Sequence, residues 1–209
     1  MNMFSSETYK QLTKSLNKEN PISVQVLGIC SALAVTVKLE PAVVMGISVM
    51  LVTAFSNLII SLMRNSIPNS IRIIVQLVVI SFLVILVDQI LKAFSYEVSK
   101  QLSVYVGLII TNCILMGRLE AFAMANKPWP SFIDGISNGL GYAMILVVIA
   151  ILRELFGSGT IYGLQIIPRF VYEAGYSNNG LFIQPAAALI LLGCIIWFQR
   201  SRNREMIEK

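Results

Sequence analysis

Apolar residues in this chain gather into six long blocks, at about 21–37, 41–63, 71–91, 101–117, 133–152 and 181–198, and polar residues collect at the joints between them. A membrane-crossing helix needs about 20 apolar residues at roughly 1.5 Å of rise each, so each block predicts one transmembrane helix. The joints carry turn chemistry. Asn20-Pro21 opens the first block, Glu40-Pro41 separates it from the second, Arg64 to Asn69 turns the chain before the third, and Lys127-Pro128-Trp129-Pro130 breaks it before the fifth. Residues 1–20 are polar, without the apolar core of a cleavable signal, and carry Lys10, Lys14 and Lys18 in what is expected to be an amphipathic segment on the cytoplasmic membrane surface. Residues 160–180 are too polar and turn-rich to span, and 200–209 form a basic cytoplasmic tail.

Two blocks share a signature. Cys30 lies in the apolar run that ends in Lys38-Leu39-Glu40, and Cys113 lies in the run that ends in Arg118-Leu119-Glu120. Dividing the chain near residue 100 leaves three spans in each half, 21–100 and 101–199. An odd number of crossings starts the second half on the opposite face from the first. The expected fold is an all-α integral membrane protein of six transmembrane helices, arranged as an inverted repeat of three plus three. Such folds relate their halves by a pseudo-two-fold axis in the membrane plane and place functional groups near the midplane on short or broken helices. The first and fourth blocks are the shortest; the first has Gly28 just before Cys30, and the fourth carries Gly107 and Gly117 around Cys113. Helices one and four are therefore expected to be short or broken.

Composition agrees with a multi-pass membrane protein: 56% of the 209 residues are hydrophobic, 13% are charged, and the mean hydropathy is +0.75, far more apolar than a soluble domain requires. The net charge of +5 is better explained by membrane orientation than by nucleic acid. With six spans both termini share a side, and that side collects Lys10, Lys14, Lys18, Arg64, Arg72, Arg118, Lys127, Arg200, Arg202, Arg204 and Lys209. The other side holds only Lys38, Lys92, Lys100, Arg153 and Arg169. Eleven against five puts the termini in the cytoplasm by the positive-inside rule.

Histidine is absent, which removes histidine-ligated haem and zinc and the serine-histidine triads from this chain. Three cysteines remain, an odd number within predicted spans, unlike a disulfide framework. A cysteine in an apolar helix is by default a small buried hydrophobe, and Cys194 takes that reading. Cys30 and Cys113 hold comparable places in related segments, which suggests a shared metal or redox site beside the plain packing alternative. Iron-sulfur clusters usually take four thiolates, and a four-thiolate zinc site has the same need. Two cysteines are half a set, so a second polypeptide of the same fold would supply the rest.

Acids within a membrane cost on the order of 3 kcal/mol at a helix centre, so Asp88 and Asp134 need a reason. Asp88 precedes Lys92 by one helical turn and fits an ion pair. Asp134 stands where it could cap the fifth helix. The functional alternative is that either lines a path for a hard cation, which hard oxygen ligands suit. Glu40 and Glu120 read as interfacial partners of Lys38 and Arg118. Gly135 and Gly139 form a GxxxG pair that lets a neighbouring helix approach, either in another subunit or within the chain.

The stretches NPISVQVLGICSALAVT, IPNSIRIIVQ, VDQILKAFSYEVSKQLSVYVGLIITNCILMGRLEAFAM and PSFIDGISNGLGY resemble the D-subunit family of the sodium-pumping NADH:quinone reductase over nearly the whole chain. Around Cys113 and Arg118 to Ala123 the chain is also similar to the E subunit of the related Rnf ferredoxin-NAD reductase. The resemblance implies a six-helix subunit of the bacterial cell inner membrane, paired with a homologous, oppositely oriented E subunit. It further implies that Cys30 and Cys113 are two of the four ligands of a [2Fe-2S] cluster, with two further cysteines on that E subunit. NADH, flavins and quinone are then carried by other subunits of the reductase complex. This chain helps couple electron transfer to the export of Na+ and has no complete active site of its own. A rival from another class is a secondary ion transporter with an inverted repeat, in which Asp88 and Asp134 bind the ion and the cysteines are filler.

Overall fold

The computed structural model describes residues 21–22, 24–94, 106–161, 164–165 and 180–202. The expected amphipathic segment 1–20, the joint around residue 100 and the tail beyond Arg202 lie outside the described residues. The helices are α1 (Ile29–Val35), α2 (Leu39–Met63), α3 (Arg72–Phe94), α4 (Val106–Ile110), α5 (Cys113–Arg118), α6 (Pro128–Ser158) and α7 (Pro185–Arg202). Short 3-10 turns at Asn69–Ile71 and Gly180–Ile183 lead into α3 and α7. A two-residue antiparallel ribbon, β1 (Thr160–Ile161) with β2 (Leu164–Gln165), follows α6.

Three helices, α2, α3 and α6, are long and apolar enough to cross a membrane, and α7 is a shorter apolar helix. The first and fourth apolar blocks are interrupted instead of forming continuous spans. In the first, a turn closed by the Leu27 N–H on the Pro21 carbonyl (2.9 Å) carries Val26 and Gly28 at positive φ. The chain becomes helical only from Ile29, and α1 is seven residues long. In the fourth, α4 stops at Ile110, and α5 restarts at Cys113 under an Asn112 cap whose side-chain oxygen accepts from the Ile114 N–H (3.3 Å). A π-helical turn, Leu119–Ala123, continues α5. Such turns insert one extra residue and redirect a helix.

The fifth span is longer than the apolar block 133–152 at both ends. Pro128 and Pro130 do not break it. They sit in its first turn, where a missing N–H costs nothing. At the other end Arg153 and Glu154, which read in the sequence as an exit from the membrane, are buried inside the helix. Arg153 donates to the carbonyls of Leu33 (3.1 Å), Phe182 (3.0 Å) and Ile183 (2.7 Å) and to Thr36 Oγ1 (2.7 Å). Glu154 accepts the Leu39 N–H at 2.7 Å, satisfying an orphan donor at the start of α2. The pair thus ties the ends of α1, α2 and the Gly180–Ile183 turn together.

The centre of the molecule is the α2–α6 pair. A Cβ placed on Gly46 would lie 2.8 Å from Ala143 Cβ, one on Gly139 would lie 2.6 Å from Met50 Cα, and one on Gly135 would lie 2.7 Å from Ala54 Cα. The order of these contacts makes the two helices antiparallel. Gly135 and Gly139 accordingly serve packing against α2 within this chain. In α2 and α6 56% of the most apolar window is buried within the molecule, against 17% in α3. The face of α3 that carries Ile74, Val78 and Phe82 therefore points away from the chain.

Candidate metal centre

Cys30 stands in the first turn of α1 and Cys113 in the first turn of α5. The breaks in their helices bring the two segments together. Gly28, in the left-handed conformation (φ 81°), donates its N–H to Cys113 Sγ at 3.0 Å. A side chain there would be strained, and its Cβ would meet the Tyr142 ring at 2.9 Å, so glycine is required on both counts. Cys113 is half-buried and Cys30 is exposed, so both thiols can be reached from outside the chain. Both lie within electrostatic range of the Tyr142 hydroxyl. Among the described residues no three His, Cys, Asp or Glu side chains gather as a metal site. The described residues offer two thiols here and no third ligand.

Behind the thiols lies a small polar cluster in an otherwise apolar core. Ser31 and Asn112, the neighbours in sequence of the two cysteines, meet the fully buried Tyr142 of α6. The Ser31 and Tyr142 hydroxyls are 2.6 Å apart, and the Asn112 amide donates to Ser31 Oγ (3.2 Å) and to the Tyr142 oxygen (3.3 Å). Buried polar groups of this kind need partners, and each of these three has them. A lone tyrosine in an apolar helix gives no sequence signal of this role. The polar neighbours Ser31 and Asn112, set inside apolar blocks beside the cysteines, are the signal that could have found it.

The two acids have separate surroundings. Asp134 does not cap α6, because the helix begins at Pro128 and puts Asp134 in its second turn. Arg118, at the end of α5, pairs with both of its carboxylate oxygens, and Asn138 donates to Oδ1 at 3.0 Å. The partner of Glu120 is therefore not Arg118. Glu120 pairs with Arg72 and accepts from Gln76 (3.0 Å), which links the π-turn to α3. Asp88 pairs with Lys92 at 2.6 Å, one turn on in the same helix. It also borders a small, mostly apolar cleft with Ser48, Val84 and Ile109. Cys194 is exposed on α7.

A family profile described as "Rnf-Nqr subunit, membrane protein" matches residues 8–196. A protein of Pseudoalteromonas atlantica is 57% identical over 202 residues, covering 97% of this chain and 96% of that protein. One of Psychromonas ingrahamii is 56% identical over 204 residues (98% and 97%), and one of Haemophilus ducreyi is 55% identical over 207 residues (99% and 100%). Each of the three is named as the D subunit of a Na(+)-translocating NADH-quinone reductase.

Proposed function

The chain belongs to the Rnf-Nqr family of membrane subunits, and from that premise we propose that it is the D subunit of a sodium-translocating NADH-quinone reductase. In that complex Cys30 and Cys113 hold half of a [2Fe-2S] cluster, and a homologous E subunit supplies the other two thiolates. The observation that carries the proposal is the Gly28 N–H bond to Cys113 Sγ, which joins two thiol-bearing segments far apart in sequence. The donor set fits: two thiols open to the outside, one of them already accepting a backbone N–H, as cluster sulfurs commonly do. When bound, the cluster would supply a one-electron step within the membrane. This chain's residues would carry the thiols on two segments joined by the Gly28–Cys113 bond, with the buried Ser31, Asn112 and Tyr142 behind them. NADH, flavins and quinone sit on other subunits.

The inverted repeat is supported by the α2–α6 contacts. Aligning Gly46-Ile47-Ser48 on Gly135-Ile136-Ser137 places Ala54 on Ala143 and Met50 on Gly139. The Gly46–Ala143 and Gly135–Ala54 approaches then become exchanged copies of one contact, and Met50–Gly139 falls on the axis between them. An antiparallel pair related in this way has its two-fold axis in the membrane plane. On this reading the chain has six spans, with cytoplasmic termini, in the bacterial inner membrane. For the ion path, Ser137 Oγ and Asn138 Oδ1, in the same helical stretch as Asp134, are buried and have no hydrogen-bond partner among the described residues. Asp88 borders the cleft between α2, α3 and α4.

The test is the iron content and low-temperature electron paramagnetic resonance of the purified, reduced complex, with and without Cys30→Ala and Cys113→Ala. Each substitution is expected to remove two irons and one cluster signal from a complex that stays assembled. Unchanged iron and spectrum in both variants would make the cysteines packing residues.

A further inference from the structure

We propose that Tyr142 is a positioning residue that sets the reduction potential of the group held by Cys30 and Cys113, acting through Ser31 and Gly28. The proposal rests on the thiols being cluster ligands, and it assigns a role to a side chain on a third helix that touches neither sulfur through a hydrogen bond.

The proton directions in the cluster behind the thiols follow from counting donors. Ser31 has one hydroxyl proton, and it is used on the Gly28 carbonyl at 2.9 Å. The short Ser31–Tyr142 contact of 2.6 Å must then be the Tyr142 hydroxyl donating to Ser31 Oγ. The Asn112 amide, whose oxygen is taken by the Ile114 N–H, donates to both hydroxyl oxygens. Tyr142 therefore closes a network with no free rotor, and Asn112 and Ser31 tie both cysteine segments to α6. The Gly28 residue at the end of the network is the one whose N–H points at Cys113 Sγ. Its left-handed conformation is held from one side by the Ser31 bond to its carbonyl and from the other by the Tyr142 ring lying against its Cα.

Hydrogen bonds to cluster sulfurs are one of the means by which a protein sets potential. A donor favours the more negatively charged, reduced form and raises the potential. Removing the Tyr142 hydroxyl leaves Ser31 Oγ and the Asn112 amide short of a partner in a dry site. The Ser31 hydroxyl is then held less firmly on the Gly28 carbonyl, Gly28 is less closely fixed, and the N–H to Sγ bond weakens. The potential should fall while both thiols remain in place. Packing by the ring alone, as in Phe, would have no such consequence.

The experiment is a redox titration of the assembled complex, followed by the cluster's paramagnetic resonance signal, in the parent, Tyr142→Phe and Ser31→Ala. The expected result is full iron content in both variants with a midpoint shifted to lower potential in both. Ser31→Ala deletes the bond to Tyr142 from its other end, together with the Ser31 bond to the Gly28 carbonyl, and leaves the tyrosine ring in place, so a parent-like midpoint there overturns the proposal even if Tyr142→Phe does not assemble. Parent-like midpoint and line shape in an iron-replete variant would overturn the proposal and leave Tyr142 as core packing. Failure of the underlying ligand assignment is read separately, as iron retained in Cys30→Ala and Cys113→Ala, and it would overturn the proposal as well.

Discussion

Among single residues, Asp134 and Arg118 form the most consequential pair outside the cysteine site, because both are largely buried, with 4% and 12% of their side chains exposed. Removing one partner of such a pair leaves an uncompensated charge, at a cost of about 3–5 kcal/mol, whereas replacing both with apolar residues is often nearly neutral. Asp134→Asn should thus lower the unfolding temperature of the purified complex clearly, and the double variant Asp134→Leu with Arg118→Met should recover most of it. If the carboxylate also lines the sodium path, the double variant will regain stability without regaining sodium transport. Recovery of both would reduce Asp134 to a structural ion partner. The sequence exposes these residues unevenly. Cys30, Cys113 and the two acids stand out because thiols and charges are rare in apolar blocks. The pairing of Arg118 with Asp134 instead of Glu120 is invisible there, because the π-turn after α5 rotates Glu120 toward Arg72.

Between elements, the α2–α6 contact is set by three glycines with backbone or side-chain atoms directly opposite. Gly139→Ala would put a methyl 2.6 Å from Met50 Cα, and Gly135→Ala would put one 2.7 Å from Ala54 Cα. Neither neighbour can swing aside, so each change should destabilise by about 1–3 kcal/mol, the range for overpacked cores. Gly193 of α7 is the control, since nothing among the described residues lies within 4 Å of its added Cβ. Gly193→Ala should be neutral, or stabilise by up to about 1 kcal/mol through helix propensity. Thermal unfolding of the three variants checks the ranking. Equal effects would mean that the helices do not meet at these glycines. The uniform apolar runs of α2 and α3 are legible in sequence to within a few residues. In the first block Gly28 signals a short or broken helix, but where α1 starts is not legible, because average hydropathy cannot register the positive φ of Val26 and Gly28 that delays it. Nor is the full length of α6, where prolines suited to a first turn and two internally satisfied charges look like endings.

The whole molecule has two ends of unlike charge, and the contacts that define them fix a testable orientation. At one end the turn after α2 meets the segment before α6, through Arg64 on the Ala125 carbonyl (3.3 Å) and Ser61 on the Asn126 carbonyl (2.6 Å). Arg64, Arg72 and Lys127 therefore share a side. At the other end Leu39 N–H meets Glu154 (2.7 Å), with Lys38 exposed beside it and the β1–β2 ribbon following. The positive-inside rule assigns the first end to the cytoplasm. A cysteine introduced at Ser66 or Lys127, both exposed, should react with a membrane-impermeant maleimide in inverted vesicles and not in right-side-out ones, with Lys38→Cys showing the reverse. The three native cysteines provide the common background. Labelling of all three positions from one side would contradict the crossing of α2 and α6 and with it the inverted repeat. The predicted pattern with sides exchanged would keep the fold and reverse only its orientation. The physical reason is that the antiparallel α2–α6 pair is held by glycine-mediated packing inside the chain, whereas orientation is held by the charges at its two ends.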